Sequence, residues 1–154
     1  KTPLAELPGM GILGDMTLTT GYGEEEVATL INTTDRFEAT AALTGSYGNF
    51  KYGYQKDFVD AGQTTALASA FYKIEQIGLA YAVNDALSIS YNMMEEDAHN
   101  KAGDGSKNQE TDAINIGYAI GGMTIGFQDA STDNANHILG VKDDVRSISV
   151  SVAF

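Results

Sequence analysis

Residues 145–154 read VRSISVSVAF, with Ile148, Val150, Val152 and Phe154 on one face and Ser147, Ser149, Ser151 and Ala153 on the other. Period-two alternation specifies a β-strand with unlike faces, because successive side chains point to opposite sides of a sheet. In a soluble domain the apolar face packs on a core and the polar face is wet. In a membrane barrel the apolar face meets lipid and the small polar face lines the lumen. This strand fits both arrangements, so the rest of the chain decides.

The same alternation recurs upstream. Ile114, Ile116, Tyr118 and Ile120 oppose Asn115, Gly117 and Ala119, Gly121-Gly122 turns the chain, and Met123, Ile125 and Phe127 return against Thr124, Gly126 and Gln128. Ile77, Leu79, Tyr81 and Val83 oppose Gly78, Ala80 and Ala82. Asn84-Asp85 turns, and Leu87, Ile89, Tyr91 and Met93 oppose Ser88, Ser90 and Asn92. A third hairpin runs from Phe37, Ala39, Ala41, Leu43 and Tyr47 through Gly48-Asn49 to Phe50, Tyr52, Tyr54 and Phe58, opposed by Lys51, Gly53, Gln55 and Asp57. Met16, Leu18 and Tyr22 mark a first strand. Turn residues between alternating runs are the sequence signal of a hairpin.

Longer polar stretches, near 24–35, 60–72, 97–108 and 131–144, separate these hairpins. Residues 64–76 read as loop running into strand. Short and long connections therefore alternate, which predicts an all-β, antiparallel up-and-down transmembrane barrel of about eight strands with short periplasmic turns and long acidic outer loops. Segment 1–13 reads as a lead-in or linker and 14–154 as the barrel strands. Every acidic residue except Glu6, Asp15, Glu38 and Asp85 falls in or beside a proposed outer loop. Mid-strand lipid-facing positions are expected to be nearly free of charge, since a cation at the bilayer midplane costs about 2–4 kcal/mol. Aromatic residues near strand ends, including Tyr22, Tyr47, Phe50, Tyr91 and Phe154, suit the two interfacial girdles.

Composition agrees. The 154 residues contain 17 Gly, 2 Pro, 8 Tyr and 6 Phe, which suits short strands and tight turns. Without Cys there is no disulfide framework or thiolate chemistry. A net charge of −12 repels phosphate backbones, so nucleic acid is not an expected partner. No run approaches the roughly 20 apolar residues of a membrane helix, while a membrane strand needs only about ten alternating ones. The chain opens Lys1-Thr2-Pro3 without an initiator Met, as a processed or partial chain does.

Several motifs invite chemistry that their context does not support. Gly9-Met10-Gly11-Ile12-Leu13-Gly14 spells a dinucleotide fingerprint, but Pro3 and Pro8 disfavour a preceding strand and a β pattern, not a helix, follows. His99 and His137 stand in separate polar stretches, so zinc is not expected. Glu95, Glu96, Asp97, Asp104 and Glu110 offer carboxylates for a loop-bound divalent cation, including one bridging lipopolysaccharide phosphates. Their spacing matches no calcium loop, and the plainer reading is a solvated acidic surface. Asn32-Thr33-Thr34 matches a glycosylation acceptor, which carries no meaning if the chain is a bacterial envelope protein. No serine sits in a nucleophile elbow, so neither an enzyme nor a cofactor is expected.

The stretches IGLAYAVNDALSISYN (77–92), INIGYAIGGMTIGF (114–127) and SISVSVAF (147–154) resemble the C-terminal half of a Gram-negative general porin, in particular the alphaproteobacterial porins, over about residues 36–154. The terminal strand, with Ile148, Val150, Val152 and Phe154, resembles the signal read when outer-membrane barrels are inserted. The resemblance implies a sixteen-stranded, homotrimeric outer-membrane barrel with an inward-folded loop. Such a barrel passes small hydrophilic solutes passively, sits among lipid and lipopolysaccharide, and is inserted by the barrel-assembly machinery. This chain is about half the required length. It is either the C-terminal half of a longer porin or a complete eight-stranded barrel.

A polar face rich in Gly, Ala, Ser, Thr and Asn favours the wall of a wider barrel, because a small barrel fills its interior with side chains. Glu38, Lys51, Gln55, Asp57, Asn92, Asn115 and Gln128 are the expected pore-lining residues, and the acidic balance predicts a mild preference for cations. Two other readings stay open: a structural or adhesive barrel without a conducting pore, and a soluble all-β binding sandwich. Bilayer conductance tests the first and detergent-free solubility the second.

Overall fold

The computed structural model describes residues 2–3, 16–26, 34–62, 69–100 and 108–152. They form one antiparallel sheet in strict sequence order: β1 (Thr2–Pro3), β2 (Thr17–Glu25), β3 (Arg36–Tyr47), β4 (Phe50–Asp60), β5 (Ser69–Ala82), β6 (Leu87–Asn100), β7 (Gln109–Ile120), β8 (Met123–Asp133) and β9 (Lys142–Val152). Eight strands are long. β1 is a two-residue edge piece in the segment expected to be a linker, and its Pro3 is tolerated because an edge strand has one side free of ladder bonds. The only helical element among the described residues is a 3-10 turn, Ala135–His137.

The three tight turns lie where the glycines and asparagines predict. Gly48, Gly121 and Gly122 have φ of 57°, 56° and 84°, a left-handed backbone that glycine adopts without a Cβ clash. At the middle turn Asn84 Oδ1 accepts from the backbone N–H of Ala86 and Leu87, each at 2.9 Å, which closes the loop without glycine.

One row of paired residues crosses seven strands: Tyr47, Phe50, Tyr81, Ile89, Ile116, Phe127 and Ile148. All are apolar and all lie on one face. Neighbouring rows on that face carry Leu18, Leu43, Tyr54, Ile77 and Met93 toward the long connections, and Val150 toward the tight turns. The first tight turn follows the row at once. The second lies beyond Val83 and Leu87, two residues past it, and the third beyond Ile120 and Met123, four residues past it. The sheet thus staggers by one residue per strand. With about 3.3 Å of rise per residue and about 4.8 Å between strands, that stagger inclines the strands by roughly 35° to the perpendicular of the line of turns.

No second sheet packs on this one among the described residues, so the self-packed sandwich is not what they build. Among the described residues the only buried apolar side chains are Ala70, Ala98 and Ala135, while Ile148 and Val150 are 74% and 62% exposed. Covering seven large apolar side chains is worth on the order of 10 kcal/mol, as much as the whole stability of an ordinary domain. The apolar face therefore needs a cover that these strands do not supply.

The strands also run farther than the alternation indicates. β5 begins at Ser69, inside the expected 60–72 loop, with a register irregularity between Ser69 and Phe71. β6 continues to Asn100, β8 to Asp133, and β9 starts at Lys142. Lys56, Lys73, Glu75, Glu95, Asp97, Glu110, Asp112, Asp129, Asp144 and Arg146 consequently lie in the ladder, on the same face as the apolar row. Charge is thus absent from the rows near the tight turns and present on the same face farther along the strands. The face has an aliphatic half near the tight turns and a charged half near the long connections.

Candidate functional site

The face opposite the apolar row is built mostly of small and polar side chains, with Val59, Tyr72, Ile74 and Met94 among them toward the long connections. Pairing places Lys51, Ala80, Ser90, Asn115, Gln128 and Ser147 in one line across β4 to β9. Successive lines toward the long connections bring Asn92, then Gln55, then Asp57, then Glu38. All seven residues expected to line a pore thus share one face. They do not converge on a single point; they are spread along the wall as a lining would be. Asn115 Nδ2 donates to Ser90 Oγ at 3.5 Å, and Ser147 Oγ to Gln128 Oε1 at 3.5 Å. Gln55 Nε2 donates to both carboxylate oxygens of Asp57, at 3.0 and 2.9 Å, which holds that carboxylate against the wall.

Glycine shapes this surface where a side chain would collide. A Cβ on Gly126 would stand 2.6 Å from Ser149 Oγ, and one on Gly117 would stand 3.1 Å from Ser88 Oγ. The wall between β6 and β9 is correspondingly low. Shallow hollows on this face are lined by Ala80, Ser88, Asn115, Gly117, Gly126 and Ser149 among others.

Residues 134–141, between β8 and β9, do not continue away from the sheet. Asn134, Asn136 and His137 have φ of 53°, 57° and 59°. This left-handed conformation is uncommon outside glycine, though enriched for Asn and His, and it turns the chain back over the polar face. Asn134 Nδ2 donates to the Asn108 carbonyl at 2.9 Å, and the Asn136 N–H to Gln109 Oε1 at 2.8 Å. His137 Nε2 lies 2.9 Å from Glu96 Oε1 on β6, with the two side chains only 20% and 23% exposed. The His137 ring stands 6.3 Å from that of Tyr72 on β5. Internally, Asn134 Oδ1 accepts from Gly140 N–H at 2.9 Å and Ala135 N–H donates to the Val141 carbonyl at 3.0 Å. The result is a strap from β8 across β7 to β6, in which Ala135 is buried.

Sequence reasoning assigned His137 to a solvated loop and Glu96 to an acidic surface, and missed their pairing. The signal available was Asn134, Asn136 and Gly140 in one short connection, a composition suited to left-handed turns. The carboxylate group expected around Glu95 is divided by the pleat: Glu95, Asp97 and Glu110 share the charged half of the apolar face, whereas Glu96 lies on the polar face. Asp104 lies outside the described residues, and no metal-holding group occurs among those described.

On the other face, Tyr54 and Tyr91 mark the border between the aliphatic and charged halves. Tyr54 donates its hydroxyl to Glu75 at 3.0 Å, and Tyr91 donates to Asp112. Each ring lies in the apolar half and its hydroxyl reaches the charged half, as an amphipathic ring at an interface does. Tyr91 is therefore in mid-strand and not near a strand end as expected. Beyond the border, Lys56 pairs with Glu75, Arg146 with Asp129 at 2.7 Å and Lys142 with Asp133 at 2.6 Å. Higher on β2 to β6, Tyr22, Phe37, Phe58, Phe71 and His99 form a ring ladder with centroids 4.8 to 6.2 Å apart. Of the expected insertion signal, Ile148, Val150 and Val152 lie on the apolar face. Phe154 and Gly9–Gly14 lie outside the described residues. Comparison with protein-family models, with curated proteins and with solved structures finds no match.

Proposed function

We propose that this sheet is part of the wall of an outer-membrane porin, a water-filled channel through which small hydrophilic solutes diffuse passively. One observation carries the reading: a single staggered sheet presents a continuous, uncovered apolar row on one face and mostly small or polar side chains on the other. Lipid is the cover that suits such a row, and water suits the opposite face. The stagger of one residue per strand is what a closed barrel requires, where strands tilt by about 35–45°.

A barrel wider than eight strands fits better than a complete small one. Among the described residues β9 pairs with β8 alone, and β2 with β3 and the short β1. The low polar face would leave an eight-stranded interior underfilled. A sixteen-stranded homotrimer in lipid and lipopolysaccharide, inserted by the barrel-assembly machinery through its terminal strand, is the corresponding whole.

Selectivity in a wide pore follows lining charge and diameter. With Glu38 and Asp57 on the polar face, the channel is expected to favour cations mildly. Planar-bilayer recording of the folded protein in a salt gradient tests both parts. Open-channel current with a cation-selective reversal potential is expected, shifting toward anions in Glu38→Gln/Asp57→Asn. A folded protein that carries no current contradicts the porin and leaves a structural barrel; an unshifted potential removes these two residues from the lining.

A further inference from the structure

The strap over the polar face has a consequence that depends on the porin reading. If the polar face lines the channel, residues 134–141 lie inside it, at the end nearest the long connections. We infer that this strap limits solute size along β5 to β7, and that the contact of His137 with Glu96 is its latch.

Three observations lead there. The strap's fixed points all lie on or beside the polar face: Glu96 and Gln109 are directly paired across β6 and β7, and Tyr72 is on β5 one line farther out. The latch spans β7 entirely, since His137 follows β8 and Glu96 lies on β6. It is also the most sheltered polar contact the strap makes, with both side chains less than a quarter exposed, whereas Ile138 and Leu139 beyond it are 57% and 69% exposed. Bonds from Asn134 and Asn136 fix the strap's root beside β7, and the His137 contact with Glu96 carries it to β6. Losing the latch frees the segment to withdraw toward β8 and widens the passage.

His137 and Glu96 act here as specificity-determining residues that position the strap. Selection here falls on size: on the polar face the line next to Glu96 and Gln109, toward the tight turns, carries Met94, Thr111 and Thr132, none of them charged.

These 154 residues hold no cysteine, so within them Glu96→Cys/His137→Cys introduces the only two thiols. A short bis-methanethiosulfonate reagent should join them within one folded molecule. Recorded in a bilayer, the joined channel should gain current, by up to about twofold, when a reductant releases the link. The His137→Ala protein should show the same higher current and admit larger neutral sugars in liposome swelling. Failure of the folded protein to cross-link overturns the strap's position, whatever the channel does. A cross-link whose release leaves current and sugar cut-off unchanged overturns its role in size selection. A wild-type protein that carries no current overturns the porin reading itself, and with it the inference, even where the link forms.

Discussion

The two halves of the apolar face share strands and register but not chemistry. Near the tight turns, row after row is aliphatic or aromatic: Tyr81, Ile89, Ile116, Phe127 and Ile148, then Tyr118, Ile125 and Val150. Near the long connections the same face carries Lys56 against Glu75, Arg146 against Asp129 and Lys142 against Asp133. Backbone pairing is indifferent to this change, because ladder bonds are made by groups that every residue except proline possesses. The solvent is not indifferent. A fixed charge in hydrocarbon costs several kcal/mol, while an exposed ion pair in water contributes about 0–1. The border drawn by Tyr54 and Tyr91 is thus the place where, on the porin reading, lipid tails give way to a polar surrounding.

The most severe way to break this contrast is to exchange the halves' chemistry. Ile116→Lys puts a cation in the middle of the aliphatic row and is expected to cost about 2–4 kcal/mol of folding free energy in bilayers. Ser131→Lys adds the same side chain to the same face, paired between Asp112 and Asp144. It is expected to stay within about 0.5 kcal/mol. Reversible folding into lipid vesicles, followed by urea titration, measures both; equal costs would erase the distinction.

A smaller effect is expected at Gly45. A Cβ there would stand 2.6 Å from Tyr52 Cζ, whose ring lies across the glycine on the neighbouring strand. Gly45→Ala should displace that ring and cost about 1 kcal/mol. The same titration checks it, and Tyr52→Leu should remove most of the penalty.

The smallest belongs to the charged half. A double-mutant cycle on Asp129 and Arg146, whose side chains are 42% and 70% exposed, is expected to give a coupling below about 1 kcal/mol, shrinking in high salt. A coupling of several kcal/mol would place the pair in a dry surrounding and move the border toward the long connections.

This division also explains what the sequence disclosed. All three tight turns and the alternating runs beside them were legible, because in the aliphatic half period-two hydrophobicity and turn chemistry coincide. In the charged half they separate. Along 71–76, Phe-Tyr-Lys-Ile-Glu-Gln alternates in no consistent sense, so the first half of β5 reads as loop running into strand although its ladder to β4 is unbroken from Phe71 to Tyr81. That Glu38, Lys51, Gln55, Asp57, Asn92, Asn115 and Gln128 share one face was legible because each lies opposite an apolar neighbour within its own hairpin. The strap was not, since its latch joins residues 41 positions apart through side chains whose local sequence carries no mark of partnership.

The central claim is that one face of this sheet meets water in a channel while the other meets lipid. A cysteine scan of 113–120 tests it most directly, with each folded variant recorded in a planar bilayer during addition of a charged, membrane-impermeant methanethiosulfonate. The account predicts that current falls for Ala113→Cys, Asn115→Cys, Gly117→Cys and Ala119→Cys, and is unchanged for Ile114→Cys, Ile116→Cys, Tyr118→Cys and Ile120→Cys. Block at every position, at none, or in the opposite phase would contradict it.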